Sequence, residues 1–340
     1  METPTLNKQI KIEKLSSIEP IKFLWDSLVT DYFQTNNFSL HLEKFNKCNQ
    51  RYYVLYENAI LKSAAILYTL PVNVLTFSKK NLSIKMNVIG VSASVDSSGL
   101  IGNPLYFEKL INYIFENETG FILCLNHESN INIKTLIQLN TLPTIIFKHD
   151  FKDFKTYLGN MRHHYRRRVV HAMNKFDGIT RMSELCNVFT DEHYKLYLNI
   201  MTKSKTKLEI LSAEFFKNLP ENFMLTSYYS TKGVLLTWHI TCEYQNTYSF
   251  LFGGINYELR DEYDAYYNNL IGIIQEGIEK GYKTINLGQT AEIPKMRVGG
   301  LQVSKKMFIY HKNSIIRLIF KIFSKQLEYK TNSESLTVFK

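Results

Sequence analysis

Residues 247 to 311 read TYSFLFGGINYELRDEYDAYYNNLIGIIQEGIEKGYKTINLGQTAEIPKMRVGGLQVSKKMFIYH, and the order of elements in this stretch decides the fold. TYSFLFGG (247–254) reads as a strand. DAYYNNLIGIIQEGIEK (264–280) sets Leu270, Ile273, Ile274 and Ile278 on one helical face, opens on Asp264 and stops before Gly281. KTINLG (283–288) is a short strand, and a polar loop with the isolated cations Lys295 and Arg297 follows it. Strand, helix and strand in immediate succession imply a mixed α/β unit.

Outward from this stretch the same order recurs. NFMLTSYYS (222–230) and VLLTWHITC (234–242) form a meander that feeds the strand at 247. In the first half, 51–69 reads as two strands around Glu57-Asn58, and SIKMNVIGV (83–91) as a third. A helix opened by Asn103-Pro104 carries Leu105, Leu110, Ile111 and Ile114, and FILCLN (121–126) and TIIFKHDF (144–151) read as strands, the latter closing this half. ENETGFILCLN and EKGYKTINLG correspond as helix end, glycine and strand. The expectation is an α/β chain, mixed and α+β-like, of two tandem units, each a mostly antiparallel sheet flanked by helices. The units span 1–152 and 179–340, with a basic linking helix at 153–178; one larger α/β domain is the alternative.

The linking segment, DFKTYLGNMRHHYRRRVVHAMNKFDG, starts at Asp153 as N-cap and exits at Asp177-Gly178. Leu158, Met161, Tyr165, Val169 and Ala172 form an apolar stripe. Arg162 and Arg166, four apart, and Arg167 and Arg168 beside them present several guanidinium groups on one surface, suited to a phosphate-bearing ligand or to a solvated face.

Composition supports a folded chain of 340 residues with 45% hydrophobic side chains. Lys and Arg exceed Asp and Glu by 41 to 31, a net charge of +10 that favours anionic partners. Cys48, Cys124, Cys186 and Cys242 lie far apart, so neither a metal cage nor a disulfide framework is indicated, and a reducing cytoplasm is the simplest setting. No leader-like or membrane-spanning apolar run occurs. SIIRLIFKIFSK (314–325) has the pattern of a basic amphipathic helix, for which packing on its own domain is the ordinary role and peripheral membrane contact the other.

Several chemistries lack their motifs. His127-Glu128 is not followed by a second histidine, Gly90-Val91-Ser92-Ala93 runs into Ser94 where a nucleophile elbow needs glycine, and no P-loop or GxGxxG is found.

The Arg-rich helix RHHYRRRVVHAMNK (162–175), the meander ending in FGGIN (252–256), the helix YYNNLIGIIQEGIEKG (266–281) and NLGQTAEIPKMRVGG (286–300) together resemble the GNAT superfamily and, within it, the FemAB-like and BioF2-like acyltransferase branch, which commonly pairs two GNAT-type units. The resemblance covers 153–311, and the first half by element order. It implies an N-acyltransferase moving an acyl group, in the first instance acetyl, from acyl-CoA to the amine of a small molecule or biosynthetic intermediate, without a metal. Lys295 and Gly299 match the branch's lysine before a glycine. The GNAT phosphate motif Q/R-x-x-G-x-G/A is missing, since Arg297-Val298-Gly299-Gly300 runs into Leu301-Gln302. Aminoacyl-tRNA-dependent transferases of the FemABX type share the fold, so an aminoacyl donor acting on a peptide or cell-wall precursor is the alternative. A degenerate pair that only binds an anionic ligand is a third reading.

Candidate site residues follow. Alternation along 234–242 puts His239 on the more polar face, as a general base or as a histidine satisfied in the core beside Trp238. Gln289 can orient the amine. Arg162, Arg166, Arg167, Lys295 and Arg297 are candidates for the donor's phosphates, and Trp238, Tyr266 and Tyr267 for the walls of the acceptor pocket. Asp264 reads as an N-cap.

Overall fold

The computed structural model describes residues 9–78, 80–204, 206–331 and 336–340. Two compact units emerge: 1–141 with 305–329, and 142–304 with 330–340. The segment 153–178 lies within the second.

In the first unit β1 (Ile10–Leu15) is followed by α1 (Lys22–Trp25), α2 (Asn36–Phe45), β2 (Arg51–Glu57), β3 (Ile60–Asn73), β4 (Ser83–Ile89), β5 (Leu100–Gly102), α3 (Phe107–Asn117) and β6 (Phe121–His127). The β2–β3 turn forms at Asn58-Ala59, both at positive φ. Strands β1 to β4 pair antiparallel, β5 pairs with β3, and β4 runs parallel to β6 with α3 as the crossover. Asn103 caps the entry to α3 through the Leu105 N–H. Leu110, Ile111 and Ile114 are buried against Tyr53, Leu55, Ala65 and Ile89 as their spacing requires, whereas Leu105 precedes the regular helix and is exposed.

The chain then passes along β7 (Ile137–Lys148) into α4 (Phe154–Asn160), α5 (His163–Asn174), β8 (Thr180–Leu185), α6 (Asp191–Lys203), α7 (Ala213–Lys217), β9 (Phe223–Tyr229), β10 (Leu235–Tyr244), β11 (Thr247–Ile255), α8 (Ala265–Glu279), β12 (Thr284–Asn286), α9 (Glu292–Arg297) and β13 (Leu301–His311). It ends in α10 (Ser314–Ile322) and α11 (Ser324–Leu327). In the second unit β8, β9, β10 and β11 pair antiparallel, and β11 runs parallel to β12 with α8 as crossover. The strand read as closing the first half is the later part of β7, which pairs antiparallel with β12 in the second unit. In the first unit the corresponding place beside β6 is taken by β13. A strand's partner is set by long-range pairing, which chain order does not disclose.

The single linking helix expected from 153 to 178 is two. Asp153 caps α4 through the Thr156 N–H, but Met161 is extended and bridges to Phe339, so α5 begins afresh. Met161, Val169 and Ala172 are fully buried in the core formed with Leu270, Ile273, Ile274 and Ile278 of α8. Gly272 and Gly277 let α8 approach the sheet: a Cβ at Gly272 would lie 2.2 Å from the Tyr228 hydroxyl, and one at Gly277 would lie 2.5 Å from Ile285. The cysteines are free and buried. Among the described residues no helix is long and apolar enough to cross a membrane.

Candidate active site

The second unit's parallel pair is short. β11 and β12 are joined only over Thr247–Ser249 and Thr284–Asn286. Beyond that point Leu251 is an extra residue in the β10–β11 ladder, a bulge that turns β11, while Leu287 and Gly288 stay hydrogen-bonded to Ile145. The strands therefore diverge, and the β11 backbone after Ser249 has no strand partner on the β12 side among the described residues.

The segment read as a cationic loop contains a short helix. Gly288, Thr290 and Ala291 take positive φ and lead into α9, whose Lys295 is buried, donating to the carbonyls of Gln289 at 2.7 Å and Gly288 at 3.3 Å. Its ammonium lies 5.8 Å from the Phe250 ring at the divergence of the strands. Gln289 donates to the Leu142 carbonyl.

A cavity of about 340 Å³ opens past the end of β11, lined by Arg168, Ile255, Tyr257, Arg260, Asp261, Asp264, Tyr266, Tyr267, Pro294 and Arg297. The Arg168 guanidinium lies 4.6 Å from the centroid of the Tyr267 ring and donates to both Asp264 oxygens at 2.8 and 2.9 Å. Lys175 approaches the same carboxylate at 3.5 Å. Asp264 occupies the N-cap position of α8 but does not cap: its backbone is left-handed, with φ 47°, and its side chain turns to Arg168 instead. The hydrogen bonds from Arg168 hold that carboxyl below its usual range. Strain at such a residue persists where surrounding contacts enforce it.

The Tyr267 hydroxyl is buried without a hydrogen-bond partner among the described residues. Burial pushes this phenol up to about 12, so it stays protonated and can donate. Arg297 is exposed and makes no hydrogen bond or ion pair among the described residues. The lining thus combines tyrosine rings, one of them carrying the unsatisfied buried hydroxyl, an uncommitted cation, and two carboxylates paired with Arg168 and Arg260.

Of the residues singled out in the sequence, the fold brings Tyr266, Tyr267 and Arg297 to this cavity, with Lys295 and Gln289 at the neighbouring strand divergence. The others lie elsewhere. Trp238 is fully buried, its indole N–H on the His193 carbonyl at 2.9 Å. His239 does not reach a polar surface, because α8 covers that face of β10; it packs beside Tyr228, and burial pulls its imidazole down to about 4. Arg162 sits at the N-cap position of α5 without capping it and donates to the Phe339 carbonyl, and Arg166 and Arg167 do not line the cavity. α5 contributes Arg168 instead. Its position was readable, since Arg168, Ala172 and Lys175 share one helical face and an acid-rich loop with Asp261 and Asp264 opens α8.

No protein-family profile matches the chain, and no curated protein is similar to it in sequence. Solved structures are similar in shape. L-PGS from Bacillus licheniformis matches with a TM-score of 0.57 and 10% identity over 93% of this chain and 98% of that one. FemX matches at 0.54 and 11% identity, over 91% and 100%. This chain shares the fold of these two structures, a mixed α/β fold with a large, mostly antiparallel sheet flanked by helices. A conserved protein of unknown function from Bacteroides thetaiotaomicron is also similar in shape, with a TM-score of 0.50 and 12% identity over 82% of this chain and 89% of that one.

Proposed function

We propose that this chain is an acyltransferase that moves an acyl group from an activated carrier to an amine, and that the cavity beyond β11 is where the amine and the reactive carbonyl meet. The observation that carries this reading is the Tyr267 hydroxyl: a buried, protonated, unpartnered donor on a ring that lines an open cavity. A buried donor left unmade is costly, and a carbonyl oxygen acquiring negative charge during attack satisfies it when charge is greatest. Asp264 and Asp261 are already paired, with Arg168 and Arg260, and Tyr257, Tyr266 and Tyr267 offer the amine ring faces. Attack by the deprotonated amine forms the C–N bond as the carrier's C–S or C–O bond breaks, and the proton the nitrogen then sheds leaves with the carrier as its thiol or hydroxyl.

The uncommitted backbone edge of β11 after Ser249 can hydrogen-bond an extended amide-bearing arm, with Arg297 available to a phosphate of the carrier. That suits an acyl-CoA, from which an acetyl or longer group would pass to an amine on a small molecule, peptide or biosynthetic intermediate. An aminoacyl-tRNA donor acting on a peptide or cell-wall precursor is the second reading. It is favoured by Arg166 and Arg167, which lie outside the cavity and whose guanidinium groups make no hydrogen bond or ion pair among the described residues, which leaves them to contact a polyanion. Gln289 and Lys295 shape the donor side in either case, and a cytoplasmic setting suits both donors.

Purified chain incubated with an acyl-CoA and an amine panel should release free thiol; with charged tRNA, transfer should be ribonuclease-sensitive. Absence of both activities would refute the proposal, and whichever appears identifies the donor.

A further inference from the structure

The helix α10 was expected to pack its apolar face on its own unit, and it does so only in part. Ile316 and Phe320 turn inward, with the Phe320 ring 4.7 Å from that of Phe121. The wider apolar arc faces away. Ile315, Leu318, Ile319 and Ile322, with Phe323 at the helix end, are each between 47% and 68% exposed. At about 100° per residue these positions fall on one side of the helix. A surface helix ordinarily turns such a stripe to its core, and a contiguous exposed apolar face marks an interaction site.

Charge indicates the partner. Residues 312–327 contain Lys312, Arg317, Lys321 and Lys325 and no Asp or Glu. Arg317 is held by the carbonyls of His311 and Lys312 and lies 5.5 Å from the Tyr310 ring, which fixes the rotation of the helix. Lys321 and Lys325 are exposed along the edge of the apolar arc and make no ion pair among the described residues. The Asn313 carboxamide caps the first turn, so the helix starts where the cationic segment does.

We propose that α10 is an interfacial helix that seats this unit on an anionic lipid surface, with Ile315, Leu318, Ile319, Ile322 and Phe323 entering the headgroup boundary and Lys321 and Lys325 contacting lipid phosphates. An apolar arc edged by lysines is the form such helices take, and at about 1.5 Å per residue α10 is too short to cross a bilayer but long enough to lie in its surface. A second copy of the chain suits the face less well. Packing two such arcs together would oppose their lysine rows, and one helix face falls short of the roughly 800 Å² per partner of a stable interface.

The test is flotation of the full chain with vesicles of phosphatidylcholine alone and of phosphatidylcholine mixed with phosphatidylglycerol, with sedimentation run in parallel without lipid. The chain should float with the anionic vesicles and much less with the neutral ones, and rising salt should release it. Leu318→Glu with Ile322→Glu should abolish flotation while circular dichroism stays unchanged, as their exposure allows. Lys321→Gln with Lys325→Gln should weaken it by on the order of tenfold or more. If the glutamate pair perturbs the fold, Ile315→Ser with Ile319→Ser replaces it and should lower flotation in the same way. No flotation on anionic vesicles, or flotation indifferent to the apolar substitutions, overturns the proposal. So does a concentration-dependent dimer that the glutamate pair dissolves, which would make a second copy the occupant.

Discussion

The guanidinium of Arg168 lies 4.6 Å from the ring centroid of Tyr267, so a residue of the basic helix α5 fixes the one ring in the cavity whose hydroxyl is buried and unpartnered. Asp264 holds Arg168 in that place through both oxygens. The three form a chain of contacts that ends on the Tyr267 ring, whose buried hydroxyl has no hydrogen-bond partner among the described residues.

Tyr267→Phe tests that atom. Because the hydroxyl has no partner, its removal forfeits no hydrogen bond and relieves the cost of burying one, so thermal stability should hold or rise slightly. Transfer should fall by about 10²-fold or more if the phenol stabilises the oxyanion. Calorimetry beside steady-state kinetics reads both, and unchanged turnover would remove Tyr267 from the chemistry.

Arg168→Ala and Asp264→Ala should each lower turnover, and the double variant should be no worse than the poorer single, because each breaks the same clamp on Tyr267. Arg168 is partly exposed, so the pair itself should contribute under about 1 kcal/mol to stability. Additive losses in a double-mutant cycle would mean that the two residues act separately.

Element order and type were largely legible. The period-2 and period-3.6 runs gave β2 to β4, β6, β9 to β11, α3 and α8, since those segments bury one face and their punctuation by Asn-Pro, Asp and Gly is local. The site was legible in part. Tyr266, Tyr267 and Arg297 meet because they flank the same end of the sheet, whereas His239 was placed by alternation alone, and alternation cannot say that α8 covers the face it names. Asp264 looked like a cap because Asp before a helix usually is one. Its left-handed backbone and its turn toward Arg168 depend on a segment 96 residues away.

Acid should destabilise the chain in stages. Burial pulls the imidazoles of His193 and His239 from 6.5 to about 4 in the fold. The unfolded chain therefore binds more protons between these values, and the stability these groups contribute is intact above pH 6.5 and lost as pH falls toward 4. Denaturant titrations across that range should show the decline, and His239→Gln should flatten it. A profile unchanged by the substitution would mean that His239 titrates normally.

Glu118 governs the next stage. Burial would raise its carboxyl, but hydrogen bonds from Arg51, Lys14 and Tyr53 outweigh that and bring it from 4.5 to about 2. Its contribution is thus present above pH 4.5 and lost as pH falls through about 2. Arg51 meets both Glu118 oxygens at 2.8 Å, the guanidinium buried and the carboxylate half-buried, joining β2 to the end of α3. Glu118→Gln should leave the Arg51 charge with too little compensation and cost about 3–5 kcal/mol in urea unfolding. Arg51→Met combined with Glu118→Leu removes both charges and should recover most of that loss, because the desolvation of the guanidinium disappears with it. If the single variant is as stable as the parent, the pair is not what ties α3 to the first sheet, and the burden passes to Leu110, Ile111 and Ile114 beneath it.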